Sequence, residues 1–167
     1  MMNKLIDWLN NGLTPRVNKL SKNIWIQSIQ NAIMLSLPMI FVGSLISVIS
    51  LLKNIWPSMP DLNPINQFSF GLFSIFVAFL LPYQIMDKKG LSKKKVLAGF
   101  SSICLFMMLI RPEFTDAGAV FDFNRFGAAG MLVALFSGMV SAILMNLFAK
   151  ISLFGKNSPI PDFVQQW

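Results

Sequence analysis

The 167-residue sequence contains no histidine, a single cysteine and few charged residues, which make up 13% of the chain. Without histidine, this chain offers neither histidine-based acid–base catalysis nor histidine phosphorylation. One cysteine cannot form an internal disulfide or a multi-cysteine metal site, and Cys104 is expected to be buried because it lies in an apolar run. Nucleotide-binding loops and metal-ligand spacings are absent as well, so the sequence predicts no catalytic residue, no metal and no cofactor.

Apolar residues dominate instead, at 54% of the chain. Soluble domains are about 25% charged, so this composition is typical of a membrane protein. Fourteen Lys and Arg against seven Asp and Glu leave a formal net charge of +7. In an apolar chain this basic excess indicates contact with the surface of the lipid bilayer rather than with nucleic acid.

Four stretches with few or no charges can cross a bilayer as helices, which requires about 20 mostly apolar residues. They are residues 24–52, 66–86, 94–111 and 126–149. The third contains an apolar run only from Val96 to Ile110, which is shorter than the hydrocarbon core. We still count it, because the basic side chains at its two ends can extend to the interfaces. The predicted fold is an all-α, polytopic integral membrane protein with four transmembrane helices.

The distribution of basic residues predicts the orientation, because cytoplasmic loops collect Lys and Arg. Eleven of the fourteen lie in the N-terminal arm, in the 88–95 loop or in the C-terminal tail. The other two loops hold Lys53, Arg111 and Arg125 together with the acidic residues Asp61, Glu113, Asp116 and Asp122. We therefore expect a multi-pass protein of the bacterial cell membrane with both termini in the cytoplasm.

The spans divide the chain into three parts. Residues 1–22 form a basic arm whose apolar residues follow helical spacing, which predicts an amphipathic helix lying on the cytoplasmic interface. Residues 23–150 form the transmembrane scaffold, and residues 151–167 form a cytoplasmic tail that is expected to be truncated.

Two groups of residues within the spans are candidates for contacts. Gln27, Gln30 and Asn31 share about one helical face near the cytoplasmic end of the first span. They either line a substrate path or lie in the headgroup zone and hydrogen-bond to another helix, and the second interpretation is favoured because polar side chains commonly join helices in membranes.

Small residues recur at every fourth position of the fourth span, at Gly130, Ala134, Gly138 and Ala142. Such a stripe allows another helix to approach closely. The partner helix is either in the same chain or in a second subunit, and the sequence leaves both alternatives open.

The order of several segments resembles a known family. These segments are LPMIFVGSL at residues 37–45, GLFSIFVAFLLPYQIMDKKG, FGAAGMLVALFSGMVSAILMNLFAK and a proline-containing IPDFVQQW. Together they are similar to the front part of the enzyme IIC permeases of the bacterial phosphotransferase system (PTS), in the lactose/cellobiose (diacetylchitobiose) branch.

The resemblance implies the N-terminal dimerisation and scaffold part of a sugar permease that takes part in phosphoenolpyruvate-dependent uptake and is not transport-competent alone. In the family, the His and Glu residues that contact sugar lie in later segments, so no substrate-binding residue is carried over to this chain. The full complex couples transport to sugar phosphorylation, but the phosphorylated residues belong to separate IIB and IIA components.

The partners that the resemblance implies are a second copy of the chain, the IIB component or a full-length IIC. An alternative is a standalone truncated membrane protein that assembles with, or regulates, a full-length permease. A small unrelated four-span transporter is a third hypothesis, which the lack of charge inside the spans disfavours.

Overall fold

The structure is a bundle of α-helices of unequal length, and this computed structural model describes residues 14–116 and 118–150. The helices are α1 (Thr14–Ser21), α2 (Ile24–Leu51), α3 (Asn63–Gln67), α4 (Phe73–Lys88), α5 (Lys95–Leu109) and α6 (Met131–Lys150). Short 3₁₀ turns lie at Leu52–Asn54, Phe70–Leu72, Ser92–Lys94, Phe123–Phe126 and Ala128–Gly130. Strands β1 (Glu113–Thr115) and β2 (Gly118–Val120) form an antiparallel hairpin.

Within residues 14–116 and 118–150, three helical segments are long and apolar enough to cross a membrane. They are Ile24–Asn54, Asn63–Lys88 and Ala128–Lys150, with 31, 26 and 23 residues. The third predicted span corresponds to α5, whose 15 residues extend about 22 Å, against a hydrocarbon core of about 30 Å. The prediction of a mostly helical membrane protein is therefore confirmed, whereas the count of four spans stays a prediction.

The third loop contains a feature that the sequence analysis did not predict, the short hairpin of β1 and β2. Thr115 Oγ1 donates a hydrogen bond to the Gly118 carbonyl at 3.0 Å, and Gly118 has a φ of +121°, which glycine adopts readily. Most of the predicted interfacial arm, residues 1–13, and the tail, 151–167, lie outside the described residues. The last part of the arm forms α1.

Helix α2 shows how polar residues are accommodated in an apolar helix. Asn23 caps its first turn, since the Asn23 side chain accepts a hydrogen bond from the Trp25 backbone N–H at 2.9 Å. Serine hydroxyls further along donate to the carbonyl four residues earlier, as Ser28 does to Ile24 and Ser36 does to Ala32. These bonds satisfy the hydroxyls without water, which a hydrocarbon environment requires.

Helix α4 is the centre of the bundle and packs against α2, α5 and α6. Two apolar clusters surround it. One joins Phe73, Val77, Ala78, Phe106, Ile110, Phe126 and Ala134, and the other joins Ala32, Leu81, Ile85 and Ala142. Because α2 contacts the bundle on one side only, a long apolar face of α2 stays exposed.

Serine hydroxyls also connect different elements inside the bundle. Ser74 of α4 donates to the Gly127 carbonyl at 2.5 Å, and Ser141 of α6 donates to the Ala98 carbonyl of α5 at 3.0 Å. Ser102, one turn after Ala98, is fully buried and its hydroxyl makes no hydrogen bond. Its usual acceptor in a helix, the carbonyl four residues earlier, is the one that Ser141 uses.

Polar contacts hold both ends of the short helix α5. At its start, Lys95 Nζ lies 2.9 Å from Asp87 Oδ1 of α4. At its end, Arg125 Nη1 donates to the Ile110 carbonyl at 2.7 Å, which satisfies one of the free carbonyls that every helix leaves at its C-terminus. Arg125 also lies 3.6 Å from Asp122. These contacts place α5 between the ends of longer neighbours.

We predict that Arg125→Gln lowers the free energy of unfolding by about 1.5 kcal/mol, because it removes a charge-assisted hydrogen bond to the end of α5. Titration of the detergent-solubilised chain with sodium dodecyl sulfate, followed by circular dichroism, measures the change. Lys53→Gln is the matched control, since Lys53 is an exposed base for which the structure gives no hydrogen bond or ion pair. Equal stability of the two variants would contradict the capping role of Arg125.

Candidate functional site

The four small residues of the predicted stripe all lie on the buried side of the last helix or of the turn before it. Ala134 and Ala142 are 0% exposed, and Gly130 and Gly138 are buried. Gly130 belongs to the 3₁₀ turn rather than to α6, and a Cβ atom added there would overlap the Arg125 carbonyl. The stripe thus faces elements of the same chain over its whole length.

At Gly138, α6 packs closely against α4. A Cβ atom added there would lie 2.9 Å from Leu81 Cδ2 and 3.1 Å from Leu81 Cβ, which is closer than side chains normally pack. Ala142 joins the cluster that contains Leu81 and Ile85. The absence of larger side chains on this face of α6 therefore lets the two helices pack closely.

The three predicted polar residues of α2 are not brought together. Gln27 turns towards the bundle: its Nε2 donates to the Ser21 carbonyl at 2.9 Å, and its Oε1 accepts from Lys88 Nζ at 3.2 Å. Gln30 and Asn31 are exposed on the outer surface of α2. Within the described residues neither has a hydrogen-bond partner. Gln27 thus joins the helix ends, while the other two carboxamides face outwards.

Two lysines stack on aromatic rings at the same end of the bundle, which the sequence analysis missed. Lys89 Nζ lies 4.6 Å from the centre of the Trp25 ring, and Lys95 Nζ lies 4.6 Å from the centre of the Tyr83 ring. Such cation–π contacts contribute about 0.5–1 kcal/mol at exposed sites. Trp and Tyr prefer the membrane interface, so the positions of Trp25 and Tyr83 near the ends of the first two predicted spans were a usable signal.

The prediction that Cys104 is buried is wrong, because the structure exposes it. It lies on the outer side of α5 between Phe100 and Met108, which are also exposed. In a soluble protein an apolar run indicates the core, but lipid-facing positions of a membrane helix are equally apolar. Hydrophobicity alone therefore does not distinguish the two sides of α5.

The buried polar side chains of the described residues are all of one type. The buried polar residues of the described part are seven serines, namely Ser28, Ser36, Ser69, Ser74, Ser102, Ser137 and Ser141. Within the same ranges no group of three Cys, Asp or Glu side chains could hold a metal ion. A shallow surface pocket of about 250 Å³ lies among Asn66, Phe70, Phe123 and Asn124 at the loop end.

These features define a multi-helix membrane protein whose contact faces, rather than a reactive centre, are its candidate functional surfaces. Comparison with curated proteins finds that this chain is similar to components of sugar permeases. The chain is 26% identical over 162 residues to the PTS system lactose-specific EIICB component of Staphylococcus epidermidis, a match that covers 89% of this chain and 27% of that protein. It is 29% identical over 153 residues to the PTS system oligo-beta-mannoside-specific EIIC component of Bacillus subtilis, covering 79% of this chain and 32% of that protein.

The resemblance to PTS enzyme IIC permeases is therefore confirmed by curated relatives. A further lactose-specific EIICB component, from Staphylococcus aureus, is 26% identical and matches 90% of this chain. The chain spans between 27% and 32% of the length of these relatives. No family model and no solved structure matches the chain.

We predict that Gly138→Leu lowers the free energy of unfolding by about 3 kcal/mol or more, because the new side chain would overlap Leu81. The same dodecyl sulfate titration measures it. Ser101→Leu, which adds the same side chain at an exposed position of α5, is the control and is expected to have little effect. Replacing Leu81 with Ala in the Gly138→Leu background should restore part of the loss. A Gly138→Leu variant of unchanged stability would exclude tight packing at this position.

Proposed function

We propose that this chain is the N-terminal dimerisation and scaffold part of a PTS sugar permease and takes part in phosphoenolpyruvate-dependent uptake of a β-linked disaccharide or oligosaccharide. The observation that carries the proposal is the match of 79–90% of the chain to lactose-specific and oligo-beta-mannoside-specific permease components. Both of those sugar classes are β-linked and uncharged. We propose that the sugar of this system is of the same kind.

We further propose that the chain alone does not transport sugar. A sugar needs several hydrogen-bond donors and acceptors lining its path, whereas the described interior offers apolar side chains and serines. Several of these serines already donate to backbone carbonyls, as Ser36, Ser74 and Ser141 do. In the proposed complex, residues from elsewhere in the permease bind the sugar, and this bundle is the support against which they move.

The absence of buried charge in the described part supports an energy source other than an ion gradient. Transporters that use protons or sodium generally place ionisable groups inside the membrane. Here the buried polar residues are serines, and the ion pair between Asp87 and Lys95 is partly exposed at a helix end. We propose that phosphorylation of the sugar by the IIB component supplies the driving force.

We propose that α5 crosses the membrane as the short third of four spans, with both chain termini in the cytoplasm. Its two neighbours in the bundle, α4 and α6, cover part of its surface. Lys93 and Lys94 precede it, and Arg111 follows it, so basic side chains can reach the interfaces beyond both ends. Local thinning of the bilayer accommodates the remaining mismatch at a modest cost.

The proposed partners follow from this orientation. The surrounding lipids contact the exposed apolar faces of the helices. The lysines of the 88–95 loop lie on the cytoplasmic side, where a IIB component or another copy of a IIC permease would approach. A second copy of the chain completes the proposed homodimer. The buried small-residue stripe serves packing within each copy, so we assign dimerisation to a different face.

Topology is testable by cysteine labelling of the full chain in intact bacteria, in a Cys104→Ser background. With four spans, Thr115→Cys is expected to react with a membrane-impermeant maleimide, whereas Ser92→Cys reacts only after the cells are permeabilised. Ser58→Cys in the first outer loop is the positive control. If α5 does not cross the membrane, positions 92 and 115 will label on the same side.

The role in uptake is testable with a chimera in which this chain replaces the matched 162 residues of the Staphylococcus epidermidis lactose-specific EIICB component. In cells that lack their own lactose permease, we expect measurable phosphoenolpyruvate-dependent uptake of labelled lactose by the chimera and none by the chain alone. The chimera carrying Gly138→Leu is the folding-defective control. A chimera that reaches the membrane without uptake, or uptake by the chain alone, would refute the proposal.

A further inference from the structure

A pocket of about 250 Å³ opens at the end of the bundle opposite the lysine-rich loop. Two segments line it, residues 66–71 just before α4 and residues 123–128 just before α6. We name it the loop pocket. None of the described residues that line it is charged, so it suits a neutral ligand better than an ion. The side chains that could contact a ligand are those of Asn66, Gln67, Phe70, Phe123, Asn124 and Ala128.

Contacts within the chain hold the two walls of the loop pocket together. Ser74, at the start of α4, donates a hydrogen bond to the Gly127 carbonyl at 2.5 Å. The Phe123 ring packs on Gly71, where an added Cβ atom would lie only 2.9 Å from the ring. The pocket is therefore formed before a ligand arrives, as most small-molecule sites are.

Three carboxamide side chains surround the loop pocket. Gln67 and Asn124 are exposed, and within residues 14–116 and 118–150 their side chains have no hydrogen-bond partner. Asn66 Nδ2 donates to Ser47 Oγ at 3.2 Å, whereas Asn66 Oδ1 is buried and accepts no hydrogen bond in the described part of the chain. A carboxamide offers two donors and one acceptor. The pocket can therefore bind a ligand whose neutral hydroxyls both donate and accept.

Two phenylalanine rings supply apolar surface beside these carboxamides. Phe70 and Phe123 are 38% and 37% exposed, so each ring is open on one part only. A sugar ring is divided in the same way, with C–H groups on its faces and hydroxyls around its edge. Its faces can pack on the aromatic rings while its hydroxyls bond to the carboxamides.

The size of the loop pocket limits how much of a sugar it can hold. Its volume of about 250 Å³ lies just below the range of roughly 300–1,000 Å³ that is usual for drug-sized ligands. We therefore expect one ring of a disaccharide to enter and the other to stay in water. Because so few groups contact the ligand, we expect a dissociation constant of about 1 mM.

We infer that the loop pocket binds one ring of an uncharged sugar at the outer surface of the membrane. The inference rests on the proposed function, which supplies the sugar and places the first and third loops outside the cell. It adds a second site to that function. The sugar that is being transported binds elsewhere in the permease, and the loop pocket holds incoming sugar near the start of its path.

The test measures binding of lactose and of β-1,4-mannobiose, since the relatives are specific for lactose and for oligo-beta-mannosides. Saturation-transfer NMR is recorded on the full 167-residue chain in lipid nanodiscs, which avoids detergents that contain sugar. Empty nanodiscs give the background. We expect at least one of the two disaccharides to bind with a dissociation constant of about 1 mM.

Two adjacent alanines provide a matched pair of variants. Ala128 and Ala129 are both exposed in the turn before α6, but only Ala128 lines the loop pocket. Ala128→Trp fills the pocket and is expected to weaken sugar binding at least 10-fold, whereas Ala129→Trp should leave it unchanged. Because both positions are exposed, circular dichroism should show the same helix content in both variants.

Removal of single carboxamides tests the hydrogen bonds. Gln67→Ala and Asn124→Ala are each expected to weaken sugar binding roughly 3- to 10-fold, the effect of losing about one hydrogen bond. Gln30→Ala and Asn63→Ala are the controls, since both side chains are exposed and lie outside the lining of the pocket. Neither control should change the affinity.

The outcomes distinguish the loop pocket from the proposed function. A chain that binds neither disaccharide overturns the inference, as does binding that Ala128→Trp leaves unchanged. Uptake of lactose by the chimera in the absence of any sugar binding to the chain would overturn the loop pocket alone. Failure of uptake by the chimera, with sugar binding that Ala128→Trp abolishes, would refute the permease role alone.

Discussion

The structure depends on one constraint: hydrocarbon cannot replace water as a hydrogen-bond partner, so polar groups inside the membrane must find partners within protein. The serines show how the chain meets it. Ser36 bonds to its own helix, while Ser74 and Ser141 bond to neighbouring elements and thereby fix where those elements lie.

Helices of unequal length are aligned by contacts at their ends. Two contacts on the lysine-rich side join the end of α4 to the start of α2. Lys88 donates a hydrogen bond to Gln27, and Lys89 stacks on the ring of Trp25. On the other side, Arg125 bonds to the end of α5. Close packing between them is possible because small residues such as Gly138 face large ones such as Leu81. The bundle is therefore fixed by polar contacts at both surfaces and by shape in the middle.

The length of the relatives and the structure of the bundle both agree with the proposal that this chain is one part of a larger permease. The curated permease components are about three to four times longer than the stretch they share with this chain. The interior of the described part of this chain is apolar and lined by serines, which agrees with the role proposed for it as a support. In the proposed arrangement, this bundle is the support and the rest of the permease binds the sugar for transport.

The sequence by itself determined that the protein lies in a lipid bilayer, because this follows from its composition. The length of the apolar runs determined that it is mostly helical, and the order of short segments determined which proteins it resembles. It could not determine which side of a helix faces inwards, since lipid-facing and buried positions are equally apolar, as Cys104 shows. Nor did it reveal the hairpin at residues 113–120 or which neighbour covers the Gly130, Ala134, Gly138 and Ala142 stripe. Only the tertiary structure decided these points, because they depend on which helices lie side by side.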